Sequence, residues 1–297
     1  MIVITAPTGN IGHQVLDRVL AAGRPVRVVV RDPAKLPAAV RDRVEVVQGS
    51  HGAPEVLDAA FAGARTVFWL LPTDRRAATA EDAYTGFTRP AAEALRAHAV
   101  GRVVDVTALG RGTPWAGRAG HVTASLAMDD LIAGTGVAFR ALALPGFMDN
   151  LLRQTRAIKE QGVFVDMLPA DLRLPAVATR DVAAVAARLL LDDAWTGQES
   201  VPLLGPEDLS YADMAAVASE VLGTPVAYRR IPAQALAEYL TGAGTSPGMA
   251  RSLLDMMTAK ENGLDAGVVR TARHAIDTPT TFRQWCEDVL KPAVAAA

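Results

Sequence analysis

The first residues whose spacing suits chemistry form a glycine-rich turn near the start of the chain. The letters APTGNIG at 6–12 follow an apolar run, Ile2–Thr5, and open a helical pattern. Such a turn brings backbone N–H groups and the positive end of a helix onto a pyrophosphate. Gly9 lets the backbone approach the phosphates, and Gly12 lets the helix pack closely on the sheet. Ala6, in the place of a first glycine, serves if that position needs no positive φ. The alternative is a tight turn without a ligand.

An arginine stands where the dinucleotide would be selected. Arg31 ends the second apolar run, about 20 positions after Gly12, where an acidic residue would bind the ribose 2′-hydroxyl of NAD. An arginine there favours the 2′-phosphate of NADP through charge-assisted hydrogen bonds. Asp32 keeps NAD(H) open as a second cofactor. The alternative for Arg31 is a solvated charge at the end of a strand.

The elements that position these residues alternate along the first half of the chain. We predict strands at 2–5, 26–30, 44–47, 66–71, 103–107 and 137–144, with helices at 10–22, 88–98 and 127–133 among them. Because the strands are continuous apolar runs, the pattern indicates a doubly wound parallel sheet buried on both faces. Further strands are expected at 176–177 and 201–203, around a helix at 181–191. The last third is mostly helical, with helices predicted at 211–222, 232–241, 247–261 and 282–290 and a frayed end at 293–297.

Composition excludes several classes of function. Of the 297 residues, 30 are Lys or Arg and 32 are Asp or Glu, so the net charge is −2. No bulk positive field is present to hold a nucleic acid backbone. The single cysteine, Cys286, excludes an internal disulfide and a cysteine-rich metal site, and no metal is expected. No run reaches the roughly 18 apolar residues that cross a bilayer. We expect a cytoplasmic monomer or homodimer.

The order of motifs resembles the NmrA-like branch of the atypical short-chain dehydrogenase/reductases over nearly the whole chain. The similarity runs through TAPTGNIG, VVVRDPAKL, VVQGSHG, GVAFRALALPGFMDNLL, AVATRDVA, GPEDLSYADMAAVASEVLG, PVAYRRIP and IDTPTTFRQW. The resemblance implies an NADP-binding Rossmann domain at 1–150, onto which 175–205 fold back. It also implies a small, mostly helical substrate-binding region at 151–174 and 206–297.

The resemblance further implies a set of cofactor contacts at the carboxyl ends of the strands. The pyrophosphate would contact Thr8, Gly9, Asn10, Ile11 and Gly12, and the 2′-phosphate would contact Arg31. The adenine would lie by Ser50 and His51, and the ribose by Leu71, Pro72 and Thr73. The nicotinamide would lie by Thr107, Ala108, Pro145, Gly146 and Phe147.

Typical short-chain dehydrogenases use a serine and a Tyr-x-x-x-Lys, and this chain departs from that plan. Thr107 stands at the serine position, and His121 and Ser125 keep the spacing of the tyrosine and lysine. His121 is the best candidate proton donor because imidazole titrates near neutrality. The alternatives are an exposed loop histidine and, for Thr107, a hydroxyl that caps local backbone. Asp129 and Asp130 are expected to be solvated helix charges or cap partners.

An apolar wall and a glycine-hinged loop complete the predicted site. The loop at 110–120 would act as a lid, and the wall would consist of Trp115, Phe147, Met148, Leu151, Phe164, Met167, Met256 and Met257, unless these side chains are core. The leading hypothesis is an NADPH-dependent reductase of an aromatic ketone or quinone of secondary metabolism, with a small aromatic molecule as its partner. The alternative is a non-enzymatic NADP(H)-sensing regulator. A third class, an epimerase or dehydratase that holds NAD, would require the missing Tyr and Lys.

Overall fold

The computed structural model describes all 297 residues. Twelve strands occur in chain order: β1 Ile2–Thr5, β2 Val26–Val30, β3 Glu45–Gln48, β4 Thr66–Trp69, β5 Arg102–Ala108, β6 Ala138–Leu144, β7 Gly146–Phe147, β8 Val163–Asp166, β9 Leu174–Val177, β10 Gln198–Pro202, β11 Asp208–Leu209 and β12 Ala227–Arg230.

Thirteen α-helices accompany these strands: α1 Asn10–Ala21, α2 Ala38–Arg41, α3 Pro54–Phe61, α4 Phe87–Ala97, α5 His121–Ala133, α6 Thr155–Gln161, α7 Thr179–Leu191, α8 Tyr211–Leu222, α9 Ala233–Gly242, α10 Pro247–Glu261, α11 Ala272–Asp277, α12 Phe282–Trp285 and α13 Lys291–Ala296. None of them is long and apolar enough to cross a membrane.

A seven-stranded sheet in the order β10-β6-β5-β4-β1-β2-β3 dominates the first half of the chain. The strands pair in parallel register from β3 to β5, for example Ile4 with Val28 and with Phe68. The predicted doubly wound parallel sheet is confirmed. Because β1 lies between β2 and β4, the direction of winding reverses there, and ligands of such sheets bind at this switch point.

The chain divides into two units. The first comprises Met1–Ala108, Ala124–Ala143 and Val182–Val201, and the second comprises Leu109–Thr123, Leu144–Asp181 and Pro202–Ala297. By packing, 109–123 group with the second unit, although they precede the boundary expected at residue 150. The expected domain boundaries stay a prediction.

The first unit has a core on the face of the sheet that α3, α4 and α5 cover. Leu57 and Phe61 of α3, Leu95 of α4 and Met128 and Ile132 of α5 all lie in it. The strands contribute alternate residues to this face, since successive side chains of a strand point to opposite sides. The core residues of β1, β4 and β5 are Val3, Val67, Trp69 and Val103.

The second unit has small sheets and its own core. β9 pairs with β7 in parallel and with β11 antiparallel, and β8 pairs with β12 in parallel. Phe164 of β8 packs in one core with Phe282 and Trp285, whose rings stack 5.6 Å apart. The sequence pattern missed β7, β8, β11 and β12. β7 and β11 have only two residues each, which is too few to show a period.

Two helical boundaries correct the sequence prediction. α5 begins at His121, six residues before the predicted start at 127. The C-terminal residues do not fray as expected, since α13 continues to Ala296. Lys159 Nζ donates hydrogen bonds to the carbonyls of Ala295 and Ala297, at 3.0 and 2.7 Å, and so holds the last turn.

Candidate cofactor and substrate site

The glycine-rich turn follows β1 at the switch point of the sheet. Ala6 has a φ of +48°, so the condition under which alanine would fit this position without strain is not met. This conformation costs a residue with a Cβ about 1–2 kcal/mol relative to glycine. It turns the Ala6 carbonyl toward Gly9, whose N–H donates to it at 3.1 Å. The tight turn at 6–12 therefore contains an alanine, Ala6, in a strained backbone conformation.

Gly12 is required by the same carbonyl. A Cβ built on Gly12 would lie 2.1 Å from the Ala6 oxygen, a distance that no side chain tolerates. Gly9 is the N-cap of α1, and no side chain caps this helix. α8, in contrast, is closed by Ser210, whose hydroxyl accepts from the Asp213 N–H at 3.1 Å. α1 has twelve residues, and no side chain caps the first N–H groups of this helix. Such an uncapped helix N-terminus suits an anion.

Thr5 was missed by the sequence reasoning and holds the switch point together. Its buried hydroxyl donates to the carbonyl of Phe68 at 3.1 Å and accepts from the Leu70 N–H at 2.7 Å. The ends of β1 and β4 are thus fixed to each other at the place where the crevice opens. The signal was a single hydroxyl residue at the end of an apolar strand.

The end of β2 presents Arg31 to solvent. Its side chain is exposed, and its carbonyl accepts from Gln48 Nε2 at 3.4 Å. Asp32 caps the short 3-10 turn at Pro33–Lys35, where its carboxylate accepts from the Ala34 N–H at 3.1 Å. Asp32 is therefore engaged in local structure, whereas the guanidinium of Arg31 faces water.

His51 lies deeper than its expected place beside an adenine suggests. Its ring is buried edge-on against Trp69 and Phe87, at centroid distances of 5.2 and 4.9 Å. Burial lowers the pKa of His51 to about 4, so the imidazole is neutral at neutral pH. Ser50 Oγ accepts from the Gly52 N–H at 3.2 Å. The imidazole ring is thus part of the aromatic core of the first unit, and adenine contact at 50–51 stays a prediction.

The residues after β4 meet a tyrosine that the sequence reasoning did not single out. Leu71, Pro72 and Thr73 follow β4 directly, and Thr73 Oγ1 donates to Tyr84 Oη at 3.0 Å. Tyr84 lies in the π-helical turn Asp82–Gly86 that leads into α4. Burial raises the pKa of its phenol. Pro90, which lacks an N–H inside α4, explains why the helix opens into a wider turn here.

Thr107 and Ser125 come together as a buried hydroxyl pair. Thr107 near the end of β5 and Ser125 in α5 place their oxygens 2.9 Å apart. Both side chains are buried. At this distance one of the two hydroxyls donates a hydrogen bond to the other. The O–H of the second hydroxyl then remains able to donate to a further acceptor. The pair lies in the first unit, at the carboxyl edge of its sheet.

Asp129 corrects a prediction, because it is buried rather than solvated. It is 3% exposed, and it hydrogen bonds with Asp105 of β5, which is fully buried. Burial, and then the charge of Asp129, raise the pKa of Asp105 well above its ordinary value. Asp130, in contrast, is exposed as expected. The signal for Asp105 was a charged residue inside the apolar run RVVDVTA.

His121 is the first residue of α5, so the alternative of a loop histidine is wrong. Its Nδ1 lies 3.2 Å from Oγ of Ser252, a buried residue of α10. Burial lowers the pKa of His121, which favours the neutral ring at neutral pH. A neutral imidazole is a much weaker proton donor than an imidazolium. The role of His121 as a proton donor stays a prediction.

The glycine-hinged loop is fastened within the second unit. Gly110 and Gly120 have φ values of +121° and +52°. A Cβ on Gly120 would meet the Ser252 carbonyl oxygen at 1.9 Å, and one on Gly110 would meet the Leu264 side chain at 2.6 Å. Both glycines permit close packing of the loop, and its action as a lid stays a prediction.

The predicted apolar wall divides into core and surface. Met148, Leu151 and Phe164 are buried in the core with Phe282 and Trp285, and their contact with a substrate stays a prediction. Met167, Met256 and Met257 form a second apolar cluster with leucines of 168–174 and of α9 and α10. Of the remaining positions, Ala108, Gly146, Phe147 and Trp115 are half-buried and Pro145 is buried. The Trp115 ring is covered by the guanidinium of Arg118, 4.0 Å from the ring centroid.

An open depression of about 450 Å³ adjoins the methionine cluster of the second unit. It is lined by Met167, Arg230, Ile231, Pro232, Ala233 and Glu261. Arg230 and Glu261 form an ion pair at 3.0 Å on this surface. Only Met167 among the lining residues belongs to the predicted wall. The segment PVAYRRIP, which in the sequence is only one of the motifs of the family resemblance, supplies most of the others.

Comparison with known proteins identifies the family. The NAD(P)H-binding family matches residues 7–193, which are more than half of the chain. The chain belongs to the NAD(P)H-binding family. It is 31% identical over 293 residues to a (4-alkanoyl-5-oxo-2,5-dihydrofuran-3-yl)methyl phosphate reductase of Streptomyces griseus subsp. griseus, with 96% of each chain covered. It is 28% identical over 294 residues to an NAD(P)H azoreductase of Xenophilus azovorans, with 97% of each chain covered.

A solved structure has the same fold. An NADPH-dependent quinone oxidoreductase of Escherichia coli, in complex with NADPH, superposes with a TM-score of 0.78 over 100% of this chain and 99% of its own, at 22% identity. The resemblance to the NmrA-like, atypical short-chain dehydrogenase/reductases is confirmed.

The residues at the switch point fit the dinucleotide of the NAD(P)H-binding family. A side chain at Gly12 would collide with the Ala6 carbonyl and break the glycine turn at 6–12, which we call the glycine cradle, and Gly9 opens α1 without a side-chain cap. The residues that would hold the pyrophosphate are Thr8, Gly9, Asn10, Ile11 and Gly12. Contact of the exposed Arg31 with a further phosphate stays a prediction.

Proposed function

We propose that this member of the NAD(P)H-binding family is an NADPH-dependent reductase that transfers hydride to an activated carbonyl, such as an aromatic ketone or a quinone. The observation that carries the proposal is the buried hydroxyl pair of Thr107 on β5 and Ser125 on α5, 2.9 Å apart. β5 belongs to the same sheet as β1, which the glycine cradle follows. The relatives that cover nearly the whole chain are named as reductases, which supports the reaction class.

The proposed mechanism needs no tyrosine and lysine pair. When bound, the dihydronicotinamide supplies the hydride. Thr107 and Ser125 hydrogen bond the substrate oxygen, and this stabilises the negative charge that develops there. The proton that completes the alcohol or hydroquinone comes from water or through the hydroxyl pair. A quinone or a ketone flanked by an aromatic ring needs little help from an acid, which suits a site without one.

His121 has a conditional part in this mechanism. It begins the helix that carries Ser125, one turn earlier. Because burial lowers its pKa, we expect any proton that it donates to matter only as the pH falls. Reduction by wild type should therefore gain little from His121 at neutral pH. Comparing the pH profiles of His121→Gln and wild type tests this, and a large loss at neutral pH would restore His121 as the principal acid.

The substrate class follows from the apolar surfaces and from the relatives. The methionine cluster of the second unit suits a flat, aromatic molecule, since methionine adapts to irregular shapes. The relatives are named for an azo compound, a furanone phosphate and a quinone. We therefore place aromatic secondary metabolites and quinones first among the substrates.

The test is oxidation of NADPH against a panel of quinones, azo dyes and aromatic ketones. We expect turnover of at least one acceptor, and a loss of roughly tenfold to a hundredfold in kcat for Thr107→Val and for Ser125→Ala. Thr241→Val, whose hydroxyl bonds only within α9, is the matched control. Tight NADPH binding with no turnover of any acceptor would contradict the proposal and favour an NADP(H)-sensing regulator.

The preference for NADPH over NADH is assigned to Arg31. Its exposed guanidinium can pair with the 2′-phosphate, while Asp32 is engaged in capping the next turn. Arg31→Asp should weaken NADPH binding by about tenfold to a hundredfold and leave NADH binding nearly unchanged. Arg41→Asp, at an exposed arginine of α2, is the control. Equal losses for both cofactors would refute the assignment.

A further inference from the structure

Two side-chain bridges join β5 to α5. Asp105 and Thr107 are two residues apart on β5 and therefore lie on one face of the strand, while Ser125 and Asp129 are four apart on α5 and lie on one face of the helix. Thr107 bonds with Ser125, and Asp105 bonds with Asp129. The two bridges are consecutive, so the position of one constrains the other.

The carboxyl bridge is cut off from water. Asp105 is 0% and Asp129 3% exposed. Asp105 Oδ1 accepts from the Val106 N–H at 2.7 Å, while Oδ2 is buried and finds no donor in the chain. The side chain that meets Asp105 is another carboxyl. Two carboxylates only accept hydrogen bonds, so the bond between them requires one proton that they share.

We propose that Asp105 and Asp129 form a positioning pair, bridged by one proton, that fixes α5 against β5 and so keeps the Ser125 hydroxyl within hydrogen-bond distance of Thr107. The inference rests on the proposed function, in which this hydroxyl pair holds the substrate oxygen. Asp105 and Asp129 touch neither substrate nor cofactor in this role. They act through Ser125.

The aromatic neighbours of Asp105 add no charge to it at neutral pH. Trp69 of β4 pairs in register with Asp105, and it carries no charge. His51 packs on Trp69, and burial keeps it neutral above a pKa of about 4. Tyr84 also packs against this core, and burial raises the pKa of its phenol.

The flanking elements add no compensating cation to Asp105. α4 faces this core with Ala91 and Leu95. Arg140 of β6 is engaged by Glu199 at 3.2 Å. The influences on Asp105 are, in order, its burial, the charge and hydrogen bond of Asp129, and the Val106 N–H. When the bridging proton is lost at alkaline pH, the two charges repel, and we expect α5 to move away from β5 at Ser125.

The first experiment detects the proton itself. Infrared spectra of the full chain at neutral pH should show the carbonyl stretch of a protonated carboxylic acid. Asp105→Asn and Asp129→Asn should each remove that band, and Asp130→Asn, at the exposed neighbour on α5, should retain it. Absence of the band from wild type, or its persistence in both pair variants, would overturn the proposal. This measurement requires no catalysis, so it stands even if the reductase proposal fails.

The second experiment measures positioning, with 2-methyl-1,4-naphthoquinone as acceptor. The kcat of wild type should fall as the pH becomes alkaline. Asp105→Asn should not show this fall, because its amide donates to Asp129 at every pH. At neutral pH the kcat of Asp105→Asn should stay within about threefold of wild type. Asp105→Leu should lower kcat by tenfold or more with an unchanged NADPH Kd, because the glycine cradle is untouched. An alkaline limb that is identical in Asp105→Asn and wild type, or an unchanged kcat in folded Asp105→Leu, would refute the positioning role.

Discussion

The glycine cradle at 6–12 and the two bridges between β5 and α5 solve opposite problems in the same unit. The cradle consists of backbone: Gly9 and Gly12 remove side chains, and the Ala6 carbonyl organises the turn. The bridges consist of side chains, with four buried polar groups placed between a strand and a helix. A backbone site depends on which side chains are absent, whereas a side-chain site depends on partners that are distant in sequence. The two should therefore fail in different ways when they are mutated.

The largest effect is expected at Gly12. Gly12→Ala places a Cβ 2.1 Å from the Ala6 oxygen, and the backbone must shift to relieve it. We expect a loss of about 3 kcal/mol in the free energy of unfolding and of most of the NADPH affinity. Gly242→Ala is the control, because that glycine also lies in a helix and its Cβ would meet nothing within 4 Å. Chemical denaturation and NADPH titration measure both quantities, and equal behaviour of the two variants would show that the close approach is irrelevant.

A smaller loss, of stability without affinity, is expected at the bridges. Asp105→Leu leaves the buried Asp129 carboxyl facing a hydrocarbon, which costs about 2 kcal/mol. NADPH should still bind to the folded fraction as it does to wild type. Denaturation with and without NADPH separates the two effects. If Asp105→Leu also lost NADPH affinity, the cradle and the bridges would form one cooperative structure. The proposed difference between the two sites would then be wrong.

The difference between backbone and side-chain sites also explains what could be predicted from the sequence. The parallel sheet and the cradle follow from short apolar runs and from glycines a few residues apart, since local spacing is visible in the letters. The pairing of Asp105 with Asp129 spans 24 positions and depends on how α5 packs on β5, so the sequence indicates only a solvated helix charge or a cap partner at Asp129. The helix predicted from 127 leaves out His121, because α5 has little amphipathic pattern to show where it begins. Turns and strands can therefore be predicted from neighbouring residues, whereas the partners of buried polar side chains depend on residues that are distant in the sequence.

The dependence of stability on pH gives a third comparison. The pKa of Asp105 is raised in the folded state above its ordinary value of 3.8, so the folded chain holds a proton that the unfolded chain has lost. Stability should therefore fall as the pH rises above 3.8, by at most about 1.4 kcal/mol per pH unit until the folded-state pKa is passed. Asp105→Asn should remove this slope.

His51 opposes that slope in part of the range. Its pKa is lowered to about 4 in the folded state, so its contribution to stability is lost as the pH falls from 6.5 toward 4. Above neutrality His51 is neutral in both states, so any slope that remains there does not come from His51. Unfolding free energies of wild type and Asp105→Asn at neutral and mildly alkaline pH give the difference. Parallel curves would mean that Asp105 is not protonated in the folded chain.

The smallest effect on stability and on NADPH affinity is expected at Ala6. A substitution there tests whether the cradle depends on backbone groups alone. Ala6 has a φ of +48° and Ala99 has a φ of +49°, the only two residues other than glycine with positive φ. Glycine relieves the strain but gains entropy in the unfolded chain, so each Ala→Gly change should stabilise by less than about 1 kcal/mol. Ala6→Gly should leave the NADPH Kd within about twofold of wild type, as the distant Ala99→Gly does, because the carbonyl and N–H groups of the turn stay in place. A tenfold loss at Ala6 alone would show that its methyl group helps to hold the turn, and the cradle would then share the dependence on side chains that distinguishes the bridges.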